Sequence, residues 1–410
     1  MANTLDIDFV RQQFPAFQEA SLAGQAFFDN AGGSYACRQV IARLDQYYRQ
    51  TKLQPYGTHP ASHAAGLAMD NAHERLAEYL GVASQEVHLG PSTSQNTYVL
   101  AQAFAKRLHP GDEIIVTNQD HEANSGVWRR LESLGVVVKE WQVDPATGQL
   151  HVAALKPLLS ERTRVVAFTH CSNILGEINP VAEICAMAQA AGARTVVDGV
   201  SYAGHGFVDV PKLGADIYLF SLYKTFGPHQ GLMVIRQDTA EFLGNQAHYF
   251  NDAFIHKWFV PAGPDHAQVA ASAGVVDYFD ALYKHHFSSG HEEQKKSALV
   301  ANLLRSAELN PLQRLLDFCK HDPRVRLLGP SNAAKRAATV SLVPQNRSPR
   351  DVAQRLADQG IISGAGHFYA VRLLQAMGVA PEAGVLRLSF VHYTRAEEMT
   401  QLLQALDRVL

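Results

Sequence analysis

The sequence predicts an α/β protein with a mainly parallel, doubly wound sheet followed by a smaller α+β domain. Three observations carry that expectation. Six apolar runs rich in Val and Ile recur between residues 113 and 236. Several are apolar at consecutive positions, as strands covered on both faces are. Amphipathic helical stretches separate them, the alternation that builds parallel sheets.

The runs are EIIVTN (113–118), VVVKEWQV (136–143), RVVAFTH (164–170), RTVVDG (194–199), DIYLFSL (216–222) and GLMVIR (231–236). Between them, NPVAEICAMAQAAG sets Val181, Ile184, Cys185 and Ala188 on one helical face. A long helical region follows, AQVAASAGVVDYFDALYKHH (267–286) and then a charged amphipathic stretch to His321, suited to joining one domain to another. Shorter units close the chain: RVRLLG, AATVSLVP, SPRDVAQRLADQG, IISGAG, VLRLSFV and TRAEEMTQLLQALDRVL. The expected division is a large domain over 21–287 and a small one over 288–410, joined by residues 1–20.

Composition narrows the function class. The 410 residues hold 36 Lys+Arg against 39 Asp+Glu, a net charge of −3, with 47% hydrophobic residues. That balance excludes a disordered chain and offers no basic surface for nucleic acid or membrane. Cys37, Cys171, Cys185 and Cys319 lack C-x-x-C spacing, which points to a reducing compartment, and no run approaches the ~18 apolar residues of a membrane span. Asp6 and Asp8 stand where a secretory leader needs an apolar core, so a cytoplasmic protein is expected.

Familiar motifs are missing. Lys224-Thr225 follows Tyr223 instead of Gly, against a P-loop; Ser125 stands where H-E-x-x-H needs its second histidine; no G-x-S-x-G occurs; and no histidines stand at metal spacing, so no metal is expected. What remains is a set of polar residues at the ends of apolar runs. Ser92, Thr93 and Ser94 open a helix, where free N–H groups attract phosphate, though such residues are commonly plain N-caps. His121 follows one run and Asn173 another; an imidazole there could cover a flat heterocycle and an amide could meet a phenolic oxygen, while each also has an ordinary structural reading. Asp198 ends an apolar run, a costly place for a carboxylate unless a cation faces it. Lys224 directly follows the most apolar run, where desolvation lowers an amine's pKa and makes it a nucleophile toward carbonyls. Ser221 and Tyr223 flank it.

With FFDNAGGS (27–34), DHEAN, THCSNILGEINP, VVDGVSYAGH, SLYKTFGPHQG and VLRLSFVHY in this order, the chain resembles the class V aminotransferase group of pyridoxal 5′-phosphate (PLP) enzymes, which includes the cysteine desulfurases. The resemblance implies fold type I with a seven-stranded sheet, Lys224 as the amine that joins the cofactor's aldehyde, Asp198 paired with the pyridinium nitrogen, His121 stacked on the ring and Asn173 near its phenolic oxygen. It implies Thr93, Ser94, Ser221 and Tyr223 at the phosphate, Tyr223 replacing a common histidine, and Ser201 where a glutamine often stands. Arg387 matches an arginine that holds a substrate carboxylate in two-pronged fashion. Asn30 and Tyr35 belong to loops expected to shape substrate choice, and a homodimer with a shared active site is implied.

Departures bear on the reaction. In SGAGHFYAVRLL, Tyr369 stands where desulfurases carry their catalytic cysteine, and a phenol cannot carry a persulfide. In PAGPDHAQ (261–268), Gly263 is followed by Pro264 where relatives have a Gly-Thr pair reaching the neighbouring subunit's phosphate. The expectation is a PLP enzyme acting on an amino acid: a desulfurase-like C–S lyase with Tyr369 as a catalytic proton donor. The alternatives are an aminotransferase or epimerase, and a catalytically blunted PLP-binding regulatory protein.

Overall fold

The computed structural model describes residues 4–287 and 295–410, so the expected boundary at 287/288 falls at the edge of residues outside the description. In chain order the strands are β1 (Ala26–Phe27), β2 (Val87–Gly90), β3 (Glu113–Thr117), β4 (Val137–Trp141), β5 (Thr163–Thr169), β6 (Arg194–Asp198), β7 (Ile217–Ser221), β8 (Gly231–Ile235), β9 (Val325–Leu328), β10 (Thr339–Pro344), β11 (Ile361–Ile362), β12 (Gly364–Gly366) and β13 (Val385–Ser389). Seven of them form one sheet in the order β2-β8-β7-β6-β5-β3-β4.

Strands β4, β3, β5, β6 and β7 run parallel, and β8 runs against β7 and β2. The reversal has a consequence for the site. Thr117, Thr169, Asp198 and Ser221 end their parallel strands on one edge, and the antiparallel pairing of Gly231 with both Ser221 and Gly90 brings the start of β8 and the end of β2 to that same edge. Ligands of open α/β sheets sit beyond such carboxyl ends.

Burial explains why these segments are strands. All five residues of β7 and of β8 are buried, and Val196, Val197, Leu219 and Phe220 are fully enclosed. Each such apolar side chain contributes about 1.5–3 kcal/mol relative to exposure, so the consecutive apolar pattern is satisfied only between two layers of helices.

A second core belongs to the four-stranded sheet β12-β13-β10-β9, packed by the helices Lys296–His321, Pro349–Ala357 and Ala396–Val409. The N-terminal chain weaves between the two cores. The sequence groups residues 1–20 with the small domain and 21–28 with the large one. The packing instead puts Val10 and Phe14 in the larger core, and Ala26 and Phe28 in the smaller, with β1 pairing β11. Ion pairs from Asp8 to Arg395 and from Arg11 to Glu398 still tie the first helical turns to the final helix. The single helical reading of 267–286 resolves into His266–Ala271 and Ala273–His286. Among the described residues, no helix is long and apolar enough to cross a membrane.

Candidate active site

A cavity of about 320 Å3 opens at the shared strand edge, lined among others by Thr93, Ser94, His121, Asn173, Asp198, Ser201, Ser221, Tyr223 and Lys224. Nine expected residues from five separate segments therefore converge. Arg387, Asn30 and Tyr369 lie outside this lining.

The helix Thr93–Ala105 starts against β8 at a distance only glycine permits: a Cβ on Gly231 would sit 2.3 Å from the carbonyl carbon of Ser92. The Ser92 hydroxyl is a true N-cap, accepting from the Gln95 N–H at 3.2 Å. The Thr93 and Ser221 hydroxyls share a buried hydrogen bond of 2.8 Å, fixing both at the helix entrance. Hydroxyls and unpaired N–H groups at the positive end of a helix make an anion cradle.

Deeper in the cavity, burial pushes the Asp198 carboxyl up to about 6, partly offset by the Val200 N–H that donates to it at 2.8 Å and by the Lys224 charge. Lys224 makes no hydrogen bond to a described residue, and burial, with the nearby Arg387 charge, brings its ammonium down to about 8. Burial and the positive neighbours Lys224 and Arg387 bring His121 down to about 4. Its Nδ1 accepts from the Ala123 N–H at 3.1 Å, so the neutral ring carries its proton on Nε2. Asn173 donates to the Phe368 carbonyl at 2.9 Å while its Oδ1 is buried without a partner.

Arg387, on β13, is 3% exposed and reaches across to Asp29 at 3.2 Å and to the Asn173 carbonyl at 3.4 Å. Its guanidinium lies 3.7 Å from the Phe368 ring centre, and Nε is buried without a partner. Asn30 is committed elsewhere: its amide donates to the Ser389 carbonyl at 3.3 Å and its oxygen accepts from the Tyr393 hydroxyl. It borders a small recess on another side of Lys224, shared with Ser201 and His205. Tyr369 is 65% exposed, with its ring centre 5.1 Å from that of His121.

Two residues escape the sequence reading. Asp29 fixes the arginine and was signalled only by an acid following two phenylalanines. His229 lines the cavity and stacks on Tyr223, ring centres 4.9 Å apart and 8° from parallel, with no local pattern to announce it. All four cysteines are buried, and burial pushes each thiol up to about 12. Cys171 touches the cavity but is held by the Gly176 carbonyl. Asp265 caps the helix His266–Ala271, accepting from the Gln268 N–H at 3.1 Å.

These residues fit PLP: an anion cradle, a buried acid with one donor, an unbonded amine, and buried polar atoms on Asn173 and Arg387 that lack partners.

Comparison with known proteins agrees with this chemistry. Residues 26–402 match the Aminotransferase class-V family profile. The chain is 32% identical to the aminotransferase-like protein FGM3 of Gibberella zeae over 100% of both chains, and 30% identical to a cysteine desulfurase of Pectobacterium carotovorum over 98% of both. Its fold matches the apo cysteine desulfurase of Thermococcus onnurineus with a TM-score of 0.85 at 24% identity, covering 100% of this chain and 99% of that one.

Proposed function

The chain belongs to the Aminotransferase class-V family of PLP-dependent enzymes, and from that premise we propose that it cleaves the β-carbon–sulfur bond of a cysteine-like amino acid without a catalytic thiol. The observation that carries this reading is the convergence of Lys224 and Asp198 on one cavity while every thiol is buried and held in its protonated form.

Each residue then has a definable task. Lys224 would hold the cofactor's aldehyde, and Asp198 would face its ring nitrogen. Thr93, Ser94 and Ser221 would hold the phosphate, and His121 would cover the ring. When bound, the cofactor supplies an electron sink for charge developing at the substrate's α-carbon. Lys224 would also be the base for the substrate's α-proton, because an amine brought down to about 8 has an appreciable neutral fraction at neutral pH. Arg387, steadied by Asp29, presents a planar fork to the substrate carboxylate. Tyr369, beside His121 at the cavity mouth, donates a proton to the departing sulfur.

A second reading, transamination, is favoured by the 32% identity to a relative named aminotransferase-like. In the working state we take the protein to be a cytoplasmic homodimer whose active site is completed near the partner subunit. Its four unpaired cysteines and the exposed aromatic segment around Tyr249, Phe250 and Phe254 support this.

The deciding experiment incubates the PLP-loaded protein with a panel of amino acids and identifies products. Sulfide with pyruvate and ammonia from a cysteine-like substrate is expected, falling roughly 10²–10⁴-fold in Lys224→Ala. Production of a new amino acid from an added keto acid, with no sulfide, would replace this reading by the second.

A further inference from the structure

We infer that His229 is the cationic grip on the cofactor phosphate in this chain, moved from the position that Tyr223 occupies to the far side of the Gly227-Pro228 turn. The inference rests on the PLP reading above and adds to it a binding residue specific to the phosphate monoester.

Position comes first. His229 lines the same cavity as Ser92, Thr93, Ser94 and Ser221, the residues at the helix entrance. Its ring is held face to face with Tyr223, and the Tyr223 carbonyl in turn accepts from the Ser34 N–H at 3.0 Å, so the pair is anchored to the N-terminal glycine turn. His229 makes no hydrogen bond to a described residue. Its nitrogens are therefore uncommitted, while the stack limits the ring's freedom.

Charge decides the assignment. A phosphate monoester brings close to two negative charges, and the partial charge at a helix start neutralises only about half of one. Of the cavity-lining groups able to become cationic, His121 is kept neutral by burial, with its value down to about 4. Lys224 would be taken up by the cofactor's aldehyde. Asp198 adds negative charge. His229 is the remaining group, and it is exposed at the rim, where its ring can meet an arriving anion.

The test compares two vitamers that differ only in the phosphate. The full chain, freed of cofactor, is titrated with PLP and with pyridoxal, following absorbance, in the parent, His229→Ala and His229→Lys. The expected result is about a tenfold loss of PLP affinity in His229→Ala, unchanged pyridoxal affinity, and recovery of most of the loss in His229→Lys. If the parent prefers PLP and His229→Ala keeps the full preference, the inference falls while the PLP reading stands. If both vitamers weaken equally, His229 only props Tyr223 and the inference again falls. A parent with no preference for PLP over pyridoxal would sink the phosphate cradle itself.

Discussion

Tyr369 shows how much a single residue can be asked to carry. Phe368 and Tyr369 take consecutive left-handed backbone conformations, φ +47° and +58°, which cost non-glycine residues about 1–3 kcal/mol each. Such conformations persist only where surroundings impose them. Here Asn173 donates to the Phe368 carbonyl at 2.9 Å, the Glu122 N–H to the Tyr369 carbonyl at 2.8 Å, and the Tyr369 N–H to His367 at 3.1 Å, while the Phe368 ring lies against Arg387. The turn is pinned against the cavity residue Asn173, with the phenol beside His121. Tyr369→Phe removes one oxygen and leaves those bonds intact. With the phenol as proton donor to the leaving group, sulfide release falls roughly 10²–10⁴-fold, while exchange of the substrate α-hydrogen with D2O continues. Equal sulfide release from both proteins would remove Tyr369 from the chemistry. Four cavity residues, Lys224, Asp198, His121 and Asn173, were legible because each ends an apolar run or follows one within a few residues. Asp29 and His229 were not, because their partners Arg387 and Tyr223 are chosen by packing.

At the scale of elements, the parallel strands were readable because burial on both faces leaves an unbroken apolar record. Strand β2 left none: it is four residues long and carries His88 at its centre. That imidazole is fully buried, its Nδ1 bonds the His256 carbonyl at 3.1 Å and its Nε2 has no partner. Burial brings it down to about 3. A base depressed in the folded state is neutral there but binds a proton when unfolded, at about 6.5. Its contribution is therefore intact above about pH 6.5 and is lost as pH falls toward 3. His88→Leu should lose about 2 kcal/mol less than the parent between pH 7 and pH 5 in urea unfolding. His170 and His392, also depressed to about 3 by burial, act alike in both proteins and cancel. Identical pH dependence in the two proteins would contradict the assignment.

For the whole molecule, the exposed aromatic surface is the feature that bears on assembly. Tyr249 is 85% and Phe250 65% exposed, with Tyr56 and Phe254 also accessible. Phe250 and Tyr56 border a cavity of about 330 Å3 that includes Pro261, Gly263 and Pro264. Clustered apolar surface of this kind is typical of an interface, which supports the homodimer proposed above. Sedimentation equilibrium at micromolar concentration should give twice the chain mass, and Phe250→Glu should shift it toward the monomer. A parent that sediments as a monomer would end the homodimer proposal.

By itself the sequence determined the layered fold, its family and the ends of strands where chemistry gathers, since periodicity and strand-end polarity are written in neighbouring residues. Packing in three dimensions sets the rest: Arg387 is steadied by Asp29, Asn30 braces Ser389 and Tyr393, the thiols are sealed away, and Val10 and Ala26 join different cores. These are contacts between residues remote in the chain, and a side chain's partner across hundreds of residues is set by how two packed cores meet, for which no local pattern codes.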